Sequence, residues 1–270
     1  MFLDDAVAAA ADSANERMKS VSARELERRL EAAGAAPAFK GAIARQGGGV
    51  RVIAEVKRRS PSAGAIREDA QVRGIVAEYR RAGAAAVSIL TSDLFGGSME
   101  DLEQAREAGG VPVLRKEFIS LDYQVLESRA YGASAILLIS EALSSGRIAG
   151  LLSLARELGL EALVESHGRE GLERALEAGA EVIGINNRDL ATLEVDTGTT
   201  ARLLPHVPAG ALVVSESGIR TRACVREMED LGVDALLIGE ELMRAGEPGR
   251  RLRELLGRAG AGEEADESCG

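Results

Sequence analysis

A repeated pairing of glycine with a short aliphatic run is the sequence feature that most constrains this fold. The eight runs read VRVIAEVK, GAAAVSIL, GGVPVLRKE, GASAILLIS, GLEALVES, GAEVIGIN, GALVVSES and GVDALLIGE in chain order. A strand with one wet face would alternate polar and apolar residues, so these runs indicate strands buried on both faces, as in a parallel sheet. The glycine supplies the left-handed residue that ends a preceding helix. The repetition therefore predicts a ring or stack of similar units.

The segments between the runs have the spacing of amphipathic helices. In QVRGIVAEYRRAG the apolar side chains fall on one stripe, opposite the charges. These apolar residues are Val72, Ile75, Val76 and Tyr79. Residues with N-capping side chains stand near the expected helix starts, namely Ser120, Ser166 and Thr221. Strands and helices thus alternate along the chain.

Eight buried strands that alternate with helices fit either an open doubly wound sheet or a closed barrel. No GxGxxG follows the first strand, so the dinucleotide-binding form of the open sheet has no support. We therefore predict an α/β fold, a (β/α)8 TIM barrel with an N-terminal helical extension. The expected division is residues 1–46 for the extension, of one or two helices, 47–259 for the catalytic barrel, and 260–270 for a disordered acidic tail.

Composition excludes several classes of partner. The net charge of this 270-residue chain is -10, whereas a duplex-binding surface needs clustered positive charge, so no nucleic acid is expected. No apolar run has the length of a membrane span, and the acidic start lacks the basic region of a signal peptide. Two cysteines cannot form a disulfide framework and fit a reducing compartment. We expect a cytoplasmic, monomeric protein that binds no membrane. No unusual apolar stripe stands out on the helices, so the sequence itself does not fix the oligomeric state.

Polar residues gather at the carboxyl ends of the predicted strands, where barrel active sites lie. These ends carry Glu55 and Lys57, Arg115 to Glu117, Glu165 and Ser166, Asn186 to Asp189, Ser215 to Gly218, and Gly239 and Glu240. Because Glu55 and Lys57 are two residues apart, both point to the same side of the first strand. We expect these charges to converge in one barrel mouth, and a salt-bridged plug without function is the structural alternative.

Two glycines near the end of the chain favour an anion site. SESGI and LIGEE each place a glycine where a strand gives way to a helix. Backbone N–H groups at a helix N-terminus bind phosphate, often after the seventh and eighth strands of a barrel. Turns also need glycine for their geometry, so a purely structural role stays open.

Other residues carry weaker signals. Phe95, Phe118 and Leu190 could line an aromatic substrate pocket, but apolar residues in a barrel mouth could equally serve packing. His167 and His206 have no Cys or acidic partners at metal-ligand spacing, so no metal site is expected.

The ordered set IAEVKRRSPSAG, VLRKEFI, AILLI, LVESH, IGINNRDL, VSESGI and LIGEELM resembles indole-3-glycerol-phosphate synthase. The resemblance runs from about Phe39 to Leu256. It implies a (β/α)8 barrel with an extra N-terminal helical segment. It also implies conversion of 1-(2-carboxyphenylamino)-1-deoxyribulose 5-phosphate to indole-3-glycerol phosphate, CO₂ and water, in tryptophan biosynthesis. The resemblance implies a small phosphorylated aromatic substrate and no cofactor or metal.

The resemblance also implies roles for individual residues. Lys116 would be the general acid that protonates the ribulosyl carbonyl oxygen, and Glu165 would serve as acid or base in the dehydration. Lys57 would pair with the substrate carboxylate, while Glu55 and Asn186 would orient hydroxyl and ammonium groups. The residues expected to bind substrate are Ser60, Phe95, Phe118, Arg188, Leu190, Glu216, Ser217, Gly218 and Gly239. We expect a lowered pKa for Lys116, on the view that its neighbours are cations.

Four features depart from the family pattern. Glu240 stands where some relatives carry a phosphate-binding Ser, so we expect it to point away, and Glu117 replaces a more frequent Asp. The LFGGS segment has fewer bulky residues than the usual aromatic-rich loop, and the first 38 residues match poorly. Two alternatives to the synthase remain. A related isomerase, such as phosphoribosylanthranilate isomerase, would need a Cys/Asp pair at strand ends, where this chain has no Cys. A catalytically silent barrel subunit would show no turnover.

Overall fold

The computed structural model describes residues 2–32, 34–45, 47, 49–61, 64–189 and 192–258. Its centre is a closed barrel of eight parallel strands in sequence order. The barrel strands are β1 (Arg51–Val56), β2 (Ala86–Leu90), β3 (Val113–Lys116), β4 (Ala135–Ile139), β5 (Glu161–Ser166), β6 (Val182–Asn186), β7 (Leu212–Glu216) and β8 (Ala235–Ile238). Strand β1 closes the ring because it pairs with β2 through Ile53 and Ala86 and with β8 through Arg51 and Ala235. The predicted (β/α)8 barrel is confirmed, with each strand on one of the eight apolar runs.

The helices pack around the barrel and before it. They are α1 (Phe2–Ser20), α2 (Ala23–Ala32), α3 (Phe39–Ile43), α4 (Val72–Ala82), α5 (Met99–Ala108), α6 (Asp122–Ala130), α7 (Ser145–Glu157), α8 (Arg169–Glu177), α9 (Gly198–Leu203), α10 (Arg222–Leu231), α11 (Glu240–Arg244) and α12 (Pro248–Leu255). Arg59–Ser60 and Gly64–Ala65 form a short antiparallel pair in the loop after β1. None of these described helices is both long and apolar enough to span a bilayer.

The stripe predicted on α4 is buried against the barrel, and Gly83 ends that helix in the left-handed conformation with φ 93°. Thr221 caps α10, since its side chain accepts a hydrogen bond from the Cys224 N–H. The expected capping by Ser120 and Ser166 is wrong. Leu121 is the N-cap of α6, and Ser166 is the last residue of β5 rather than a helix cap. A capping residue type near a helix start does not fix which residue takes the cap.

The N-terminal segment contains a third helix, α3, beyond the one or two expected. Phe39 and Ile43 are buried and pack with apolar side chains inside the barrel, among them Ile53 and Leu114. The Lys40 backbone N–H donates to Glu161 at the start of β5, over 2.6 Å. Helix α3 therefore covers the amino-terminal end of the barrel and leaves the carboxyl end open. The expected domain boundaries at residues 46 and 259 stay a prediction, and the tail from residue 260 lies outside the described residues.

Helices α1 and α2 lie against α6. Leu26 of α2 is fully buried in a small cluster with Ala14 and Tyr123. Arg17 of α1 makes two hydrogen bonds to the carboxylate of Glu127, of 2.6 and 2.9 Å. The N-terminal extension is thus attached through α6, which follows the strand that carries Lys116.

Candidate active site

A cavity of about 490 Å³ opens at the carboxyl ends of the barrel strands. It is lined by almost all of the residues that the sequence singled out. Those residues are Glu55, Lys57, Ser60, Phe95, Lys116, Phe118, Glu165, Asn186, Arg188, Glu216, Ser217, Gly218 and Gly239. Leu190 lies outside the described residues. Charged and amide side chains from five strands therefore meet in one place, as the common direction of parallel strands requires.

Alternation sends the neighbouring polar residues to the opposite side of the barrel wall. Arg115 is fully buried between the barrel and α6, where its guanidinium lies 3.0 Å from a Glu127 oxygen. Asn187 donates to Ser215 Oγ over 3.1 Å and accepts from the Thr200 hydroxyl, away from the cavity. The strand-end groups Arg115, Asn187 and Ser215 thus belong to the layer between strands and helices. Their position shows that only every second polar residue could reach the substrate.

Lys116 is the central cation of the cavity. Its Nζ donates to Glu165 Oε2 over 2.8 Å and to Glu216 Oε2 over 2.7 Å. Burial alone would lower the pKa of Lys116, but the carboxylates of Glu165, Glu216 and Glu55 outweigh burial and raise that pKa. The expectation of a lowered pKa is therefore wrong, because the nearest charges are carboxylates and not cations. At neutral pH the side chain holds a proton that it can deliver.

Glu165 is held on both of its oxygens. Oε1 accepts from Asn186 Nδ2 over 2.9 Å, and Oε2 accepts from Lys116. His167 Nε2 lies 3.1 Å from Oε1. Burial by itself would raise the pKa of Glu165, but Lys116 and His167 lower it well below the ordinary value. Glu165 is therefore an ionised carboxylate although its side chain is almost completely buried.

The pKa of Glu216 is shifted in the opposite direction to that of Glu165, although both side chains contact the same ammonium. Burial first, and then the nearby Glu165 carboxylate, raise the pKa of Glu216 to about 8. The pKa values of two carboxyl groups that share one cation move apart in this way, because ionising both groups in a buried site costs free energy. The Oε1 atom of Glu216 is packed against Gly184 of β6, where no side chain could fit without moving it.

Glu55 and Lys57 form the second ion pair of the cavity. Lys57 Nζ lies 2.8 Å from Glu55 Oε1. Gly239 leaves the room that Glu55 occupies, since a Cβ at residue 239 would lie 3.0 Å from the Glu55 Cβ. Glu55 Oε2 is buried without a hydrogen-bond partner among the described residues. That oxygen is an acceptor available to a substrate hydroxyl.

The turn after β7 has the unusual backbone expected of a binding loop. Ser217 has φ 65° and Gly218 has φ 83°, so two successive residues are left-handed and the first is not glycine. Ser217 Oγ donates to Asn186 Oδ1 over 2.8 Å, which also accepts the Arg188 N–H over 3.0 Å. A Cβ at Gly218 would lie 2.7 Å from a Thr197 methyl. This turn is tied to the strand end that carries Asn186.

Glu240 lies on the cavity wall and does not simply point away, as had been expected. Its Oε1 accepts from Arg244 Nε over 3.1 Å, and its Oε2 is 3.9 Å from an Arg188 guanidinium nitrogen. The two arginines offset its negative charge. A carboxylate can thus stand near the glycine turns without making the whole region repel anions.

Aromatic side chains form one wall of the cavity. The rings of Phe95 and Phe118 stack with centroids 6.3 Å apart and an interplanar angle of 23°. Glu117 holds this wall in place, because its Oε1 accepts the Phe118 N–H over 3.0 Å and its Oε2 accepts the Thr91 hydroxyl over 2.9 Å. Both carboxylate oxygens of Glu117 thus accept hydrogen bonds from neighbouring residues. In the described part of the chain no His, Cys, Asp and Glu side chains are grouped to hold a metal ion.

The profile of one protein family, described as indole-3-glycerol phosphate synthase, matches residues 3–255. This chain belongs to the indole-3-glycerol phosphate synthase family. A synthase of that name from Dehalococcoides mccartyi (strain CBDB1) is 50% identical over 224 residues, which cover 82% of this chain and 86% of the relative. Indole-3-glycerol phosphate synthase 2 of Streptomyces coelicolor is 48% identical over 227 residues, which cover 84% of this chain and 88% of the relative.

A solved structure supports the fold at much greater sequence distance. The 3-hexulose-6-phosphate synthase from Salmonella typhimurium is 14% identical, with a TM-score of 0.61 over 77% of this chain and 98% of that chain. At this identity the likeness concerns the barrel alone. Function follows from the family: indole-3-glycerol phosphate synthases are carboxy-lyases of tryptophan biosynthesis, and this chain is an enzyme of that class.

Membership of the synthase family extends further toward the N-terminus than the motifs indicated. The family profile begins at residue 3, whereas the resemblance read from the motifs began at about Phe39. Sequence reasoning also missed Glu141, and it considered His167 only as a metal ligand. A histidine two residues after a strand-end glutamate could have suggested contact with Glu165, but nothing in the sequence pairs it with Glu141.

Proposed function

We propose that this cavity carries out the three steps of the synthase reaction, with Lys116 as general acid and Glu165 as the acid–base group of dehydration. The observation that carries the proposal is the contact of the Lys116 ammonium with the buried carboxyl groups of Glu165 and Glu216. The protonated Lys116 ammonium and the ionised Glu165 carboxylate are 2.8 Å apart. These are the two proton-transfer groups that ring closure and dehydration need.

The cavity offers one region for each part of the substrate. The phosphate would bind the backbone at Ser217 and Gly218, which are two successive left-handed residues, and at Gly239, which precedes α11. The aniline ring would lie against Phe95 and Phe118. We assign the substrate carboxylate to Lys57, which lines the cavity and is paired only with Glu55 among the described residues.

In ring closure the ring carbon that bears the carboxylate attacks the ribulosyl carbonyl carbon, and a carbon–carbon bond forms. The electron pair of the carbonyl bond moves to its oxygen, which takes a proton from Lys116. An alkoxide is a much stronger base than an amine, so the transfer is favourable even though the pKa of Lys116 is raised. Loss of CO₂ then returns the electron pair of the carbon–carboxylate bond to the ring.

In dehydration the new hydroxyl takes a proton from the Lys57 ammonium and leaves as water, and the substrate gives up one proton to the base. Glu165 is the base for that proton because its carboxylate stays ionised, while Glu55 Oε2 is an unpartnered acceptor for a neighbouring hydroxyl among the described residues. Positioned proton transfer contributes about 10² to 10⁴-fold to the rate.

The test is turnover. The purified chain is mixed with 1-(2-carboxyphenylamino)-1-deoxyribulose 5-phosphate, and the indole fluorescence of the product is followed. Fluorescence that grows with enzyme concentration and disappears in Lys116→Met supports the proposal. A folded chain that yields no fluorescence would instead support the silent-barrel alternative. The isomerase alternative has no support, since Cys224, the cysteine in the described part of the chain, lies in α10 and not at a strand end.

The remaining expectations concern the setting of the enzyme. We propose that it works in the cytoplasm, since its pathway is biosynthetic. We propose that it acts as a monomer, because one chain supplies every residue assigned to the cavity. Light scattering coupled to gel filtration would show a mass near 28.3 kDa.

A further inference from the structure

His167 lies behind Glu165, outside the lining of the cavity. Its Nε2 is 3.1 Å from Glu165 Oε1, and its Nδ1 is 3.1 Å from Glu141 Oε2. The imidazole is only 10% exposed, whereas the side chain of Glu141 is 28% exposed and reaches the surface. The three groups form a line that runs from the surface to the catalytic carboxylate.

Glu141 is held in place by its own contacts. Its Oε1 accepts the backbone N–H of His167 over 2.8 Å, and its Oε2 accepts the Ser140 hydroxyl over 3.1 Å. Gly171 of α8 leaves the space for this carboxylate, because a Cβ there would overlap Glu141 Oε1. Glu141 is therefore a fixed acceptor and not a mobile surface side chain.

A carboxylate oxygen 3.1 Å from each ring nitrogen favours the positively charged imidazolium. The contact of Nδ1 with Glu141 is a hydrogen bond, whereas Nε2 approaches Glu165 as an ion pair without hydrogen-bond geometry. Burial by itself would lower the pKa of His167, but Glu141 and Glu165 outweigh burial and raise it to about 10. The imidazolium is thus a second cation beside Glu165, and it lies outside the lining of the cavity.

We propose that Glu141 and His167 are positioning residues that keep Glu165 ionised and oriented after Lys116 has given up its proton. The proposal rests on the proposed function, in which Lys116 delivers that proton to the carbonyl oxygen during ring closure. Neutral Lys116 no longer neutralises Glu165, and a buried carboxylate without a cation gains a strong tendency to protonate. The charge on His167 remains, so Glu165 is still a base when dehydration begins. His167 neither gives nor takes a proton in this scheme.

The charges that face this pair come from each neighbouring element. Glu141 follows β4, and Glu165 belongs to β5. Lys116 and Glu216 lie beyond Glu165, across the cavity floor. From α8, Arg169 pairs with Glu173, and Arg174 donates to the carbonyl of Ser140. Because Arg169 and Arg174 bind these other groups, Glu141 and Glu165 are the two groups that set the charge of the imidazole.

The first test observes the imidazole directly. The chain has two histidines, so His206→Gln leaves a single imidazole whose NMR signals belong to His167. His206 contacts Arg169 on the surface and serves as the matched control. We expect the signals of His167 to titrate near pH 10 and to move to lower pH in Glu141→Gln. Titration near the ordinary value of about 6.5 would overturn the proposal without bearing on the synthase activity.

The second test follows dehydration alone. Indole fluorescence appears only when water is lost, so its rate in a single turnover reports on this step. In His167→Gln we expect the acid limb of the pH profile of that rate to move up by about 1 pH unit or more. At a pH below the limb, dehydration would then be about tenfold slower than in the wild type. Release of CO₂, measured in the same mixture, should keep its wild-type rate. Glu141→Gln should shift the limb in the same direction by less.

The double variant shows whether the two residues act as one unit. Because Glu141 acts through His167, adding Glu141→Gln to His167→Gln should change nothing further. Additive effects, or an unmoved acid limb in Glu141→Gln, would refute the positioning role. If His167→Gln does not fold, Glu141→Gln, which changes a partly exposed residue, still tests the positioning role. A wild-type chain that forms no indole would refute the proposed function instead.

Discussion

Gly184→Ala would test whether the position of Glu216 matters for catalysis. Residue 184 lies on β6 and faces the cavity floor, in register with Glu165. Its φ is not in the left-handed region, so alanine introduces no backbone strain and the effect is steric. A methyl group there would stand roughly 1 Å inside van der Waals separation from Glu216 Oε1. It would also lie 3.2 Å from the Glu165 Cα.

The methyl group therefore has to displace Glu216 by about 1 Å, which lengthens or breaks the hydrogen bond from Lys116. Overpacking of this kind costs about 1–3 kcal/mol of stability. A misplacement of about 1 Å in a catalytic group costs about 10²-fold in rate. We expect kcat to fall by that order, measured by indole fluorescence, with urea unfolding recorded on the same sample.

The matched control is Gly150→Ala. Gly150 is exposed within α7, and a Cβ there meets no described atom within 4 Å. That change should stabilise the helix by about 0.5–1 kcal/mol and leave kcat unchanged. A Gly184→Ala protein that folds and keeps wild-type kcat would refute the view that the contact between Lys116 and Glu216 supports the reaction.

Three other predictions follow from the charges of the cavity. Lys116→Met should lower kcat at least about 10² to 10⁴-fold and still fold at pH 7 by thermal melting, because Glu216, with its pKa raised to about 8, can hold a proton; a rate within tenfold of wild type would place the acid elsewhere. Glu165→Gln should let a decarboxylated, hydroxylated intermediate accumulate in quenched samples, detected by mass spectrometry; an unchanged product profile would contradict its role. Because the pKa of His167 is raised to about 10 despite burial, its stabilisation is complete below about pH 6.5 and is lost as pH rises to about 10. Over that pH range the free energy of unfolding, measured with urea, should fall by on the order of 4 kcal/mol. An equally steep fall in His167→Gln would contradict this assignment.

The fold could be predicted from the sequence because its signals are local. An apolar run bounded by glycine reports burial on both faces, and eight such runs with intervening helices leave few topologies. The convergence of Glu55, Lys57, Lys116 and Glu165 could also be predicted, because parallel strands bring their carboxyl ends to the same side. Helix α3 escaped prediction because five residues carry too little periodicity.

Charge states could not be predicted in the same way. The sequence places Arg115 beside Lys116, but the structure turns that arginine to Glu127 of α6 and surrounds the lysine with carboxylates. The pKa of Lys116 consequently moves upward, opposite to the expectation from sequence neighbours. Residues adjacent in a strand point to opposite faces, so proximity in the sequence says little about electrostatic environment.

From the sequence by itself, the barrel, the end that bears the site and most of the side chains there were determined, since periodicity and strand direction depend only on the order of residues. The tertiary structure alone decided which charges pair, which carboxylate keeps its proton, and that Glu141 reaches Glu165 through His167. Those properties depend on distances of about 3 Å between separate strands and on exclusion of water, and both arise only when the barrel closes.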